Sequence, residues 1–340
     1  MKKQNQFLNL IKFLFSLVII LYHANVLFFG GYVVVEGFFM ISGYLMMCSI
    51  ARTKEGEELS APAFVWKKYK SVFLVLLFSA LISLAVYVKI YSTDDIYALL
   101  RALPLALFEV VPLQVAGFDG LWLTGVSWYL SAMLLASLAI YPLACRFRKR
   151  FASVICPVMS VMIWGILCSK FHTLNVPDSW ILSILNTGLL RGVAGLAAGC
   201  ALWALLDRMG DRELTNREKL CNTLFEVAGY ALVAYIMIRH SSASLDFVAL
   251  PVLFLLLFIG IGGRSYLSAP ISKLKLGSLG TASTVVYLNH HYWNVYLNKF
   301  FPGYYTTGQF LLRYFALIIL SSAAVFGLKL LVEKAWAKKH

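Results

Sequence analysis

A histidine and a glutamate occur where the first two apolar segments of the chain meet in sequence. His23 lies near the end of the first segment, and Glu36 lies near the start of the second. If both segments cross a membrane, the chain reverses between them, so the two side chains lie at a similar depth. A carboxylate beside an imidazole fixes its tautomer and raises its basicity, so the pair predicts a general base. The alternative is that Glu36 sits at the water interface and His23 is satisfied by another neighbour.

Two basic residues also lie inside apolar segments, where a charge that faces lipid is costly. Lys12 precedes His23 by 11 residues, close to three helical turns. This spacing places both on one helix face, about 16 Å apart along the axis. Lys12 could instead extend its side chain to the inner lipid headgroups. Arg191 lies in the middle of a later apolar segment, so we expect it to meet an acid or a phosphate, or to line a water-filled path.

Polar residues recur in two further apolar segments. The sequence Trp128-Tyr129-Leu130-Ser131 lies near the predicted outer end of one, a level at which aromatic residues commonly form an interfacial belt. The segment 287–294 holds two histidines, His290 and His291, and two asparagines, which indicates an inward face or an aqueous cavity. Two histidines can suggest a metal, but the candidate ligands form no tight motif on one helix, so no metal is expected.

The composition of the chain indicates which elements position these side chains. The 340 residues are 60% hydrophobic and 14% charged, against about 45–50% and about 25% in soluble proteins. This predicts an all-α, polytopic membrane bundle that forms a single domain over 1–340. A membrane-spanning helix needs about 20 mostly apolar residues. We predict ten spans, near residues 7–29, 32–51, 66–90, 122–144, 152–170, 180–206, 223–239, 246–262, 280–299 and 309–332.

Loop charges orient this map. With both termini in the cytoplasm, 21 of the 30 Lys and Arg residues lie inside, six lie outside and three lie within spans, as the positive-inside rule requires. The same loops explain the net charge of +14 without a nucleic-acid partner. Residues 98–118 are apolar enough to be considered as an eleventh span, but they contain Arg101, Glu109 and two prolines. A span there would also move the basic run 146–150 to the outer side. We therefore expect a re-entrant or interfacial element on the outer side.

At these positions the chain resembles the acyltransferase-3 family of bacterial multi-pass membrane acyltransferases. Lys12 and His23 match its basic residue followed by His, residues 35–43 match V-[DE]-x-F-F-x-x-S-G with Ser42 as the serine, and 128–131 and 287–290 match two shorter pieces. Glu333 resembles the acid that often closes the domain. The family usually has Arg at the positions of Lys12 and of the run Lys67-Lys68-Tyr69-Lys70. Lys keeps the charge but loses bidentate phosphate recognition, which affects donor binding.

The resemblance implies transfer of an acyl group, most often acetyl, from cytoplasmic acyl-CoA to a hydroxyl of a cell-envelope or exported carbohydrate. It implies a multi-pass protein of the inner or plasma membrane, with acyl-CoA as donor substrate and no bound cofactor. His23 would be the general base, oriented by Glu36. The residues expected to contact donor or acceptor are Lys12, Ser42, Trp128, Ser131, Arg191 and His290.

The alternative function is a transporter or exporter of acyl groups or small anions, because intramembrane His, Glu and Arg equally suit a proton or anion path. No internal sequence repeat is apparent, so an inverted-repeat transporter gains no support. A structural scaffold would explain the apolar spans but not the polar pieces that match one family.

Overall fold

The computed structural model describes residues 5–91, 96–118, 120, 122–210, 212–239, 243–303 and 306–337. Both chain ends, with the lysines at 2, 3, 338 and 339, lie outside the described residues. Of the described residues, 79% are helical, which confirms the all-α fold class.

Within the part of the chain that the structure describes, the elements follow one another as helices with one small hairpin. They are α1 (Gln6–His23), α2 (Val34–Ala51), α3 (Ala61–Tyr91), α4 (Ile96–Val110), α5 (Ser127–Arg150), α6 (Cys156–Phe171), β1 (Trp180–Ile181), β2 (Leu185–Asn186), α7 (Thr187–Met209), α8 (Asn216–Arg239), α9 (Asp246–Gly262), α10 (Gly277–Leu288), α11 (His291–Phe300) and α12 (Thr307–Ala337). The strands β1 and β2 pair in antiparallel register. Short 3-10 turns lie at Gly31–Val33, Gln114–Ala116 and Ala269–Lys273, and a π-helical turn at Phe151–Ile155 precedes α6.

Seven helical stretches within the described ranges are long and apolar enough to cross a membrane. One of them, Ser127–Phe171, contains a residue with non-helical backbone angles, Arg148 (φ 40°, ψ −113°), so α5 and α6 are distinct helices. Helix α9 is also apolar but has only 17 residues. These features confirm a polytopic membrane protein, while the count of ten spans and the cytoplasmic position of both termini stay predictions.

Three predicted boundaries differ from the observed ones for local reasons. Helix α1 ends at His23, six residues before the predicted edge, and Asn25 and Phe28 then adopt left-handed backbone angles. Helix α7 begins only at Thr187 because the Asn186 side chain caps it by accepting from Leu189 N at 3.2 Å. The predicted span 280–299 is broken between α10 and α11.

The stretch 98–118 contains most of α4, whose 15 residues include Pro104, and a following 3-10 turn. At about 1.5 Å per residue, a helix of this length falls short of a hydrocarbon core about 30 Å thick. The stretch therefore lacks the length of an eleventh span, and its re-entrant or interfacial placement stays a prediction.

The chain divides into two compact units. Unit 1 comprises Met1–Val65 and Ala132–Gly280, and unit 2 comprises Trp66–Ser131 and Thr281–His340. The expectation of a single domain over 1–340 stays a prediction.

Unit 1 is built around a close contact between α2 and α7. A Cβ on Gly43 would lie 2.0 Å from Leu196 O, and a Cβ on Gly199 would lie 2.0 Å from Met40 O. Only glycine permits backbones to approach this closely, as in other small-residue helix contacts in membranes. The contact holds the two helices in the register that brings their polar residues together.

Unit 2 has a core formed by α3, α4, α11 and the chain before α5. Its buried members are Val86, Ile90, Ala102, Leu123 and Tyr292. Tyr292, on α11, is fully buried among them.

Candidate active site

A buried ion pair joins α2 to α7 in unit 1. Arg191 Nε donates to Glu36 Oε1 at 2.6 Å, and both side chains are almost fully buried. Arg191 Nη2 also donates to Tyr32 O at 3.3 Å. The expectation that Arg191 meets an acid is therefore confirmed. Its predicted position was wrong, because the late start of α7 places Arg191 in the second helical turn and not in mid-span.

The ion-pair partner that the structure gives Glu36 is Arg191, whereas the sequence predicted a contact with His23. The second carboxylate oxygen, Oε2, has no hydrogen bond of standard geometry within the described part of the chain. It lies against Gly195, whose added Cβ would be 3.4 Å away. The indole of Trp164, on α6, also interacts with this carboxylate. Glu36 is thus enclosed by α2, α6 and α7.

His23 is the last residue of α1 and is partly exposed. Its Nδ1 lies 3.1 Å from Ile19 O. Because a carbonyl oxygen only accepts hydrogen bonds, this contact assigns the proton to Nδ1. Nε2 is then the basic nitrogen of the ring. The Tyr22 ring packs beside the imidazole, with 4.9 Å between their centroids.

Asp246, at the start of α9, belongs to the same end of unit 1, although sequence reasoning gave it no role. Its carboxylate is fully buried. It accepts from Tyr32 Oη at 2.9 Å, Thr173 Oγ1 at 2.8 Å and Leu174 N at 2.9 Å. The Tyr32 ring meets the Tyr22 ring edge to face at 5.6 Å. Contacts therefore run from Asp246 through Tyr32 and Tyr22 to His23.

We call the group Tyr22, His23, Tyr32, Thr173 and Asp246 the outer polar cluster, because the loop charges predict that this end of unit 1 faces outside. The sequence signal for Asp246 was weak, since an acid at the first position of a helix commonly serves only the helix dipole. Among the described residues, no group of three or more His, Cys, Asp or Glu side chains could hold a metal ion.

Lys12 on α1 and Ser42 on α2 lie further along their helices, away from the ends that carry His23 and Glu36. Lys12 shares α1 with His23 as predicted, and its Nζ lies beside Gly280, 3.6 Å from where a Cβ would stand. Ser42 Oγ donates weakly to Met133 Sδ at 3.5 Å. Neither residue belongs to the outer polar cluster.

The remaining predicted site residues, Trp128, Ser131 and His290, belong to unit 2. Trp128 and Ser131 are buried in the first two turns of α5, and Ser131 Oγ accepts from Val115 N at 3.2 Å. His290 is buried at the break between α10 and α11, with Nδ1 donating to Tyr287 O at 2.7 Å. The polarity of segment 287–294 thus accompanies a helix break, which the sequence did not predict.

A second buried acid, Glu109, lies on α4 of unit 2. From the sequence it served only as an argument that residues 98–118 do not cross the membrane. Its Oε2 accepts from Ser127 Oγ at 2.6 Å and from the Thr124 hydroxyl, and its Oε1 accepts from Trp122 N at 3.0 Å. The carboxylate therefore fastens the chain that leads into α5. It holds in place the turn from which Trp128 and Ser131 follow.

Comparison with known proteins identifies the family of the chain. A family model described as an acyltransferase domain, that of the acyltransferase-3 family, matches residues 5–330. No curated protein and no solved structure matches the chain significantly. The match covers nearly the whole sequence and contains every predicted site residue. The chain therefore belongs to the acyltransferase-3 family and is a membrane acyltransferase.

Proposed function

We propose that the protein transfers an acetyl group from cytoplasmic acyl-CoA to a hydroxyl of a cell-envelope or exported carbohydrate, in the inner or plasma membrane. The observation that carries the proposal is a partly exposed histidine, His23, whose Nδ1 donates to a backbone carbonyl. This leaves Nε2 as a base at the end of a membrane helix, in a chain that is an acyltransferase domain over residues 5–330.

In the proposed reaction, His23 Nε2 takes the proton of the acceptor hydroxyl. The hydroxyl oxygen attacks the thioester carbonyl, a C–O bond forms as the C–S bond breaks, and the proton passes from His23 to the leaving sulfur. General acid–base catalysis of this kind contributes about 10²–10⁴-fold to a rate.

Glu36 takes a positioning role in this proposal, in place of direct contact with His23. Its pair with Arg191 is buried and compensates its charge, and Arg191 also holds the carbonyl of Tyr32. Tyr32 in turn packs on Tyr22, the neighbour of His23. Because Arg191 is only 1% exposed and holds Glu36, we assign it no contact with the donor phosphates.

The donor is proposed to approach from the side that carries most of the basic residues. Lys67 and Lys70 are exposed, and Lys68 is partly exposed, at the start of α3. These three lysines would attract the phosphates of CoA, because clustered positive charge raises the local concentration of anions. Lys12, on α1 of unit 1, stays a proposed donor contact.

Ser42 and Trp128 stay proposed substrate contacts. Ser131 holds the turn at Val115, and we assign no substrate contact to His290, which is fully buried and donates to Tyr287 O.

Replacing His23 with alanine tests the role of the base. We expect envelope O-acetylation, measured by mass spectrometry of surface glycans, to fall about 10²-fold or more in a His23→Ala strain. His172→Asn is the matched control, because His172 is an exposed histidine with φ 56°, a conformation that asparagine tolerates. Undiminished acetylation in His23→Ala, at a normal protein level, would exclude the proposed role.

A further inference from the structure

Unit 1 carries a groove whose walls come from three helices. The α6–α7–α9 groove has a volume of about 480 Å³ and is open on one side. Helix α7 forms its floor through Ala198 and Ala201, α6 forms one wall and α9 forms the other. The volume lies in the range of about 300–1,000 Å³ that is typical of small-molecule sites.

Small residues create the groove. Gly165 on α6 lines it, and a Cβ built on Gly165 meets nothing within 4 Å. Ala198 and Ala201 have short side chains, so a hydrocarbon chain can lie between α6 and α9 against the surface of α7.

The lining offers hydrocarbon and almost no hydrogen-bonding groups. The Ser160 hydroxyl lies within hydrogen-bond distance of the carbonyls of Cys156, at 2.9 Å, and Ala194, at 2.8 Å. The indole of Trp164 interacts with Glu36. Leu250 and Phe254 complete the α9 wall with apolar side chains. A ligand of matching chemistry is an alkyl or prenyl chain, because a polar group placed here would lose its hydrogen bonds to water.

One end of the groove lies beside the outer polar cluster. Phe247 lines the groove at the first turn of α9, directly after Asp246. Asp246 accepts from Thr173 and Leu174, which follow the end of α6. A hydrocarbon chain in the groove would therefore place its polar headgroup at the level of this cluster, to which His23 belongs.

We propose that the α6–α7–α9 groove binds the hydrocarbon chain of a lipid-linked carbohydrate acceptor. The chain would tether the acceptor in the membrane so that its sugar hydroxyls lie at the outer polar cluster, at high effective concentration. The acceptor role rests on the proposed acyl transfer, whereas binding of the chain in the groove does not.

Photolabelling tests the groove without any acyl donor. The protein is placed in phosphatidylcholine nanodiscs with a small fraction of dodecyl β-glucoside that carries a diazirine in its alkyl chain. A parallel sample contains phosphatidylcholine with the same diazirine chain. We expect the glucoside probe to label the peptides of α6, α7 and α9 several-fold more than the phospholipid probe does, and unlabelled dodecyl β-glucoside to compete.

Filling the groove should remove this labelling. Gly165→Leu adds a side chain into open space on α6, and Ala201→Phe raises the floor from α7. Both variants should lower labelling of the groove peptides several-fold. Gly327→Leu is the matched control, because a Cβ at Gly327 on α12 also meets nothing within 4 Å. It should leave labelling of these peptides unchanged.

Equal labelling by the two probes would overturn the proposal, because the groove would then be an ordinary lipid contact. Labelling that persists in both filled variants would overturn it as well. Failure of the acyl-transfer function would give a different pattern, in which the glucoside probe still labels the groove while no acetyl group reaches dodecyl β-glucoside. That pattern would retain the chain site and overturn the assignment of its occupant as an acceptor.

Discussion

At the scale of single residues, the Glu36–Arg191 pair decides how the outer end of unit 1 is held. The two residues are separated by 155 positions in sequence, and their side chains are 0% and 1% exposed. Loss of one partner leaves the other as an uncompensated buried charge, which is far more costly than loss of an exposed pair. The pair therefore stabilises the fold only while both partners are present.

Substitution of either partner should destabilise the protein strongly. We expect Glu36→Gln and Arg191→Gln each to lower the free energy of unfolding by about 3–5 kcal/mol, measured by thermal unfolding in detergent. The double variant should lose less than the sum of the two, because it leaves no unpaired charge.

The exposed pair of Lys149 Nζ and Asp207 Oδ2, 2.7 Å apart, gives the matched control. Asp207→Asn should cost about 1 kcal/mol or less. Additive effects of the Glu36 and Arg191 variants would contradict the account of the buried pair.

At the scale of elements, the contact of α2 with α7 determines the register in which Glu36 meets Arg191. Gly43 and Gly199 both lie where the opposite backbone leaves no space for a side chain. Packing in membranes depends on such van der Waals contact, since lipid tails are as apolar as the helices themselves. The helix contact and the ion pair therefore support one another.

Gly199→Ala should separate α2 from α7. Its Cβ would lie 2.0 Å from Met40 O, so the helices must move apart, at a cost of about 1–3 kcal/mol in the free energy of unfolding. Acyl transfer should fall as well, because the move displaces Glu36 from Arg191. Gly327→Ala, in open space on α12, should affect neither quantity. Equal behaviour of the two variants would contradict the close contact.

A second inter-element contact fastens the loop 52–60 to the end of α5. The Glu58 carboxylate accepts from Arg148, which also donates to Thr53 O at 3.2 Å. Backbone hydrogen bonds and Arg148 lower the pKa of Glu58 below its ordinary value. Because the folded-state pKa is lowered, this contact stabilises the loop fully above the ordinary carboxyl pKa and is lost as pH falls through the lowered value.

Glu58→Gln should therefore loosen this loop at neutral pH, where wild-type Glu58 is ionised. We expect faster trypsin cleavage at Arg52 and Lys54 in membranes opened on the cytoplasmic side. Glu57→Gln, one residue away, should leave the cleavage rate at the wild-type value. If Glu58→Gln is as resistant as wild type, the loop is held by other contacts.

At the scale of the whole molecule, hydropathy and the placement of polar residues predicted the helical membrane fold and the family. Intramembrane Lys12, His23, Glu36 and Arg191 stand out because polar residues are rare in lipid. Their partners could not be predicted in the same way. Glu36 meets Arg191 because α2 and α7 pack through glycines, a contact between segments far apart in sequence.

The other differences between the predicted and the observed structure arise from local interactions that a hydropathy pattern does not reveal. The start of α7 depends on the Asn186 cap and the β1–β2 hairpin, which a window of about 20 apolar residues averages away. Asp246 and Glu109 are buried acids whose partners are hydroxyls and backbone N–H groups outside their own helices. Their sequence positions, at a helix start and in a short helix, give no sign of those partners.

Acceptor-dependent release of CoA tests the central claim most directly. Purified protein is placed in liposomes that enclose dodecyl β-glucoside, acetyl-CoA is added outside, and free thiol is measured. We predict that CoA release requires the glucoside, yields its acetyl ester, and falls about 10²-fold or more in His23→Ala. CoA release that needs no acceptor and survives His23→Ala, or solute flux without ester formation, would contradict the account.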